Sequence, residues 1–214
     1  HVILNQEYET LKKRFISTSV DFDKAVFMLL AFYSGFGLLD EVQYARNTLD
    51  IRNKKLKNLQ ERSTVLIGTP INVPKKQAYF SLFPEVEKHF GSVGSFFDAQ
   101  PLTGTYSLIP PPSFAFMTYC LDRVEAWLNI ASKEKRSLTI LFWYPYLHSE
   151  VYSALEVDIQ KDENIDFKMI YDYANNNLLS RLENVKSVDK QVFNYMPGRL
   201  TDDNYMYKVF VYQV

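Results

Sequence analysis

Apolar positions along the chain predict a helical opening followed by alternating strands and helices. Residues 1 to about 60 read as helical. Leu11, Phe15 and Ile16 recur at the i, i+4 spacing of one helix face, beside the basic run Lys12-Lys13-Arg14. Ser19 or Asp21 is a candidate cap for a second helix through Ala25 to Tyr33, apolar nearly all round and so expected to be buried. Gly35 and Gly37 supply its stop. A third helix is expected from Leu38 toward Leu59, with Leu38, Val42, Ala45, Leu49, Leu56 and Leu59 inward and Arg52, Lys54, Lys55 and Lys57 outward.

From Thr64 the texture changes to short apolar runs broken by Gly and Pro. Thr64 to Ile67, Ser95 to Asp98 and Thr105 to Ile109 read as short strands. Phe114 to Ala131 reads as an amphipathic helix with Ser113 as its cap. Ser137 to Tyr144 has the texture of a strand buried on both faces, and Phe167 to Tyr171 reads as another strand. Tyr205 to Tyr212 is expected to be the long final strand. Such alternation predicts an α/β sheet with helices on its faces: a helical segment over 1–60 packed on an α/β domain over 61–214.

Composition narrows the function classes. Of 214 residues, 47% are hydrophobic and 23% charged, enough for a core that needs no metal or disulfide staple. No apolar stretch approaches the ~18 residues of a spanning helix, so no membrane role is expected. Three scattered histidines and the single Cys120 argue against a zinc cluster, and one cysteine fits a reducing compartment. With 24 basic against 25 acidic side chains, any nucleic-acid contact has to be local. Its basic candidates are Arg52, Lys54, Lys55, Lys57, Lys75, Lys76, Lys133, Lys135 and Arg136, and its stacking candidates are Phe80 and Phe114. The chain opens on His1 without a signal-peptide pattern, which reads as a piece excised from a longer protein.

In an α/β sheet, ligands bind beyond the carboxyl ends of strands. Two loops qualify, Gly68 to Asn72 and Ile109 to Ser113. Neither is a Gly-x-Gly-x-x-Gly cradle, and no Gly-x-Ser-x-Gly elbow or Cys-His-acid spacing occurs. Pro110-Pro111-Pro112 by itself reads as a rigid strand terminator.

Tyr79 to Pro84, then His89 to Ser95, then Phe97 to Tyr106 resemble the methyltransferase core of the phosphorylated-CTD-interacting-factor family. Leu29 to Tyr33 is similar to a helix preceding that core, and Val192 to Val214 to its closing strands. The resemblance spans roughly Phe27 to Val214. It implies a Rossmann-like S-adenosylmethionine-dependent methyltransferase fold, and in that family the activity is N6-methylation of the adenosine beside the mRNA cap. Thr69-Pro70-Ile71-Asn72 is similar to its first cofactor loop, which makes Thr69, Pro70, Ile71, Asn72 and Pro145 vestigial cofactor positions. The family's catalytic motif is Asn-Pro-Pro-Phe, whose amide and proline carbonyl accept the adenine amine hydrogens while the aromatic stacks on the base. Here the aligned residues are Ile109, Pro110, Pro111 and Pro112, so acceptor and ring are both replaced. Pro145-Tyr146-Leu147 likewise stands where the family has Pro-Glu-Trp.

The resemblance therefore implies a catalytically degenerate domain, binding RNA or protein as a scaffold, with no cofactor expected. The alternative is an active cap-adjacent adenosine methyltransferase, holding S-adenosylmethionine, with Phe114 or Trp143 stacking the base and Asn72 or Ser113 orienting the amine. An unrelated α/β binding module is the third reading. By family resemblance the compartment is the nucleus, with the cytoplasm as alternative.

Overall fold

The computed structural model describes residues 5–35, 53–74, 76–101, 103–110, 113–147, 167–186, 188–195 and 205–214. The chain forms two compact units, one of residues 1–100 with 105–108, the other of 101–104 with 109–214.

In the first unit, helix α1 (Asn5–Arg14) ends on Lys12, Lys13 and Arg14, where cations complement the helix dipole. Ile16 leaves the helical face and is 66% exposed. Asp21 begins α2 (Phe22–Gly35): its carboxylate accepts the Lys24 amide at 3.1 Å. Ala25, Val26, Leu29 and Tyr33 form one buried stripe of α2. They pack with Leu11, Ile71, Val86 and Phe90. The expectation that this helix is buried all round is corrected, because Phe27 on its outer side is 72% exposed.

Helix α3 (Lys54–Arg62) is capped by Asn53, whose Oδ1 accepts the Leu56 amide at 3.1 Å. It buries Leu56 and Gln60 and leaves Lys54, Lys55 and Lys57 outward, as the polar pattern predicts. Leu38 to Leu49, Gly37 and Arg52 lie outside the described residues. Gln77 clamps the end of α3 through the carbonyls of Gln60 and Ser63.

Four parallel strands follow: β1 (Thr64–Val65), β2 (Tyr79–Ser81), β3 (Ser92–Ser95) and β4 (Gly104–Leu108). They lie in the order β3-β2-β1-β4. The order reverses between β1 and β4, whose carboxyl ends stand side by side through the register Thr64↔Tyr106 and Val65↔Ser107. Between β2 and β3 runs the short helix α4 (Pro84–Glu87) and a tight turn closed by Gly91, whose φ of 89° suits a residue without a Cβ. Ser95 to Asp98 is not the expected strand. The strand ends at Ser95, whose hydroxyl accepts the Phe97 amide at 3.1 Å and draws Phe96–Asp98 into a helical turn.

In the second unit, helix α5 (Phe114–Lys133) buries Met117, Cys120, Leu121, Val124, Trp127, Leu128 and Ala131, a regular helical stripe. Strand β5 (Leu138–Leu147) pairs antiparallel with β7 (Tyr205–Gln213), which pairs antiparallel with β6 (Asp189–Tyr195). Ile140 to Tyr144 are at most 1% exposed, matching the run expected to be buried on both faces. Phe167 to Tyr171 is corrected from strand to helix: it opens α6 (Phe167–Glu183). The same helix continues to Asn175, Leu178 and Leu182, buried at spacings of three and four, so a longer helical period overrides the short apolar run. Arg181 of α6 donates to Asp122 at 2.8 Å and Glu125 at 2.9 Å on α5. Ring hydroxyls anchor the layer inside: Tyr144 on Asn175 and Tyr212 on the Leu182 carbonyl.

Candidate functional site

Gly68 leaves β1 with its amide on the Phe80 carbonyl at 2.9 Å. The chain then folds into a tight turn. The Thr69 amide donates to Asn72 Oδ1 at 2.8 Å, and the Asn72 amide donates to Thr69 Oγ1 at 3.2 Å. The Val73 amide closes it on the Thr69 carbonyl at 3.2 Å. Pro70 and Ile71 are buried, Ile71 among the α1 and α2 side chains. Both polar side chains of the turn are thus engaged with its own backbone.

Beneath it lies a cluster that hydropathy does not reveal. The Tyr33 hydroxyl donates to Glu87 Oε1 at 2.5 Å, and the Thr69 side chain lies beside it. Glu87 is fully buried, and burial pushes its carboxyl up to about 8, with Tyr33 and Ser81 pulling the other way. Its Oε2 has no hydrogen-bond partner. Tyr79 places its hydroxyl 3.4 Å from the Phe90 carbonyl and 3.5 Å from that of Glu87. Arg14 lies over the Tyr79 ring, 5.5 Å from its centroid, and donates to the Val73 carbonyl. Burial holds the Arg14 guanidinium below its usual range.

Gly68 is a close approach in this cluster. A Cβ there would stand 2.5 Å from Val73 Cγ2 and 3.0 Å from Tyr79 Cβ. The missing side chain is replaced by the protein's own packing.

The other candidates fall in the second unit. Ile109 follows β4 directly and is half-buried, and Pro110 is buried; Pro111 and Pro112 lie outside the described residues. Ser113 stands at the α5 cap position without a side-chain cap bond, and Phe114 is half-buried. Pro145, Tyr146 and Leu147 do not leave the sheet as a loop. They continue β5 in register with Tyr207, Met206 and Tyr205. Trp143 is 1% exposed and belongs to the core.

Among the basic candidates, Arg52 and Lys75 lie outside the described residues. Lys57 faces Glu61 at 4.0 Å, and Arg136 pairs with Glu134 at 2.6 Å. Phe80 is half-buried. Among the described residues no helix is long and apolar enough to cross a membrane, and no group of three or more His, Cys, Asp or Glu could hold a metal. Cys120 is buried, and burial pushes its thiol up to about 12, which keeps it unreactive.

No curated protein matches the chain significantly. The family model described as the phosphorylated CTD interacting factor 1 WW domain matches residues 3–168, most of the 214. The chain therefore belongs to the phosphorylated CTD interacting factor 1 WW domain family.

Proposed function

We propose that this chain is a catalytically degenerate, Rossmann-like methyltransferase domain that serves mRNA metabolism as a protein-binding scaffold. The observation that carries the reading is Ile109. It follows β4 directly, in the place where the resembled motif needs an amide acceptor, and an alkyl side chain accepts no hydrogen bond. The order β3-β2-β1-β4, reversing between β1 and β4, supports the Rossmann-like part, because a doubly wound sheet has that order across its switch point.

Two further features argue against a resident S-adenosylmethionine. Thr69 and Asn72 spend their polar groups on each other's backbone, and the space before Gly68 is filled by Val73 and Tyr79. These residues fit the cofactor poorly.

A protein partner is favoured by the family, described as a factor interacting with a phosphorylated CTD. A phosphorylated peptide calls for cations, which the outer face of α3 carries in Lys54, Lys55 and Lys57. It does not rest on a tryptophan-lined groove for proline-rich peptides: Trp127 and Trp143 are 5% and 1% exposed.

Titration calorimetry with S-adenosylmethionine is expected to show no saturable binding. Low-micromolar binding would revive the reading of an active enzyme with a divergent Ile-Pro-Pro-Pro motif, and methyl transfer to capped RNA starting with adenosine would establish it. The combined Ile109→Asn and Pro112→Phe variant rebuilds the resembled motif on the existing strand. Turnover is still expected to be absent, because Tyr146 and Leu147 leave the cofactor side unrepaired; a radiolabelled methyl-transfer assay checks this.

A further inference from the structure

We propose that helices α1 and α2 form a clasp that sets the conformation of the Thr69–Val73 turn, with Tyr33 and Arg14 as its two fingers. From α2, Tyr33 stands beside the Thr69 side chain and donates a hydrogen bond to Glu87 Oε1 at 2.5 Å. Tyr33 thus stands between the Thr69 side chain, whose hydroxyl oxygen accepts the Asn72 amide, and a fully buried carboxyl on α4. From α1, the buried Arg14 guanidinium holds the Val73 carbonyl at the other end of the turn. Between the two fingers, Ile71 is sunk among Leu11, Ala25, Val26 and Leu29.

The turn therefore has no independent conformation. The bond from the Asn72 amide to Thr69 Oγ1 needs Thr69 held in one rotamer, and Tyr33, which stands beside that side chain, belongs to a helix remote in sequence. A change in how α1 and α2 pack is transmitted to the turn. The clasp deepens the proposed reading, because it says what keeps the former cofactor loop closed, and only the loop's earlier role rests on that reading.

Amide hydrogen exchange of the full chain tests it. In Tyr33→Phe, which keeps the ring and removes the hydroxyl, the amides of Thr69, Asn72 and Val73 are expected to exchange about tenfold faster or more. Those of Leu29 in α2 and Val124 in α5 should hold their protection. Arg14→Met should release the Val73 end in the same way, and it carries the test if Tyr33→Phe loses protection throughout. Unchanged exchange at the three turn amides in a folded variant overturns the clasp, as does loss confined to the helices. S-adenosylmethionine titrated into the unmodified chain separates the two claims. Binding there would refute the degenerate reading, while the exchange pattern alone decides the clasp.

Discussion

Replacing Glu87 by glutamine should make the protein more stable at pH 8 and remove a large part of its loss of stability with rising pH. Glu87 is 0% exposed, and its carboxyl ionises near 8 in the folded chain against an ordinary value of 4.5. The folded state therefore holds a proton that the unfolded chain has released, and stability falls as pH rises between these two values. Below about 4.5 both states are protonated and the residue is neutral in its effect. Toward pH 8 the cost approaches about 4–5 kcal/mol, from roughly 1.4 kcal/mol per pH unit of displacement. Glutamine keeps an acceptor for the Tyr33 hydroxyl and carries no charge, so about 2–4 kcal/mol of that cost should be recovered at pH 8. Urea denaturation of both proteins at pH 5 and pH 8 measures the difference. Parallel pH profiles would mean that Glu87 is solvated or paired with a cation, and the buried Tyr33–Glu87 pair would have to be abandoned.

Gly68→Ala is expected to cost about 3 kcal/mol, the upper end of the usual penalty for overpacking a filled core. The new methyl meets Val73 Cγ2 at 2.5 Å and the Tyr79 Cβ at 3.0 Å. Val73 is buried and stiff at its first torsion, and Tyr79 is fixed by its place in β2. Adding Val73→Ala removes the nearer obstacle. The double variant should then be more stable than the two single losses sum to, a positive coupling of about 1 kcal/mol or more. Equilibrium unfolding of the four proteins completes the cycle. Additive losses would show that Gly68 does not approach Val73, and a neutral Gly68→Ala would show that the site has room for a ligand after all.

Much of the architecture was legible in the order of residues. Helices α2 and α5 and strands β5 and β7 have periods or apolar runs long enough to stand out. Burial follows them closely: Met117, Cys120, Leu121 and Val124 line one face, and Val209 to Tyr212 lie inside. Strand β2, three residues long, has no period to read, and nothing in its sequence separates it from a loop. Phe167 to Tyr171 misled because five apolar-rich residues suit a strand or a helix equally. The helical period of α6 emerges only with Asn175, Leu178 and Leu182.

The candidate site divides in the same way. The departures Ile109 and Tyr146-Leu147 are read directly from sequence, since they are residue identities at positions aligned with a family motif, and family membership follows from the same level. Which acid matters is not written there. Glu85 and Glu87 sit two apart in one short acidic stretch. Yet Glu85 points to solvent and pairs with Lys88 at 2.9 Å, while Glu87 is buried against Tyr33, 54 residues away in sequence. Local pattern encodes which face of an element is apolar. Whether a polar side chain on it is solvated, paired or sealed in depends on what the fold brings over it. By itself the sequence determined the α/β class, the long elements and the altered motif. Only the tertiary structure decided that Tyr33 meets Glu87 and that Arg14 meets the Val73 carbonyl, because these pairs lie 54 and 59 residues apart along the chain.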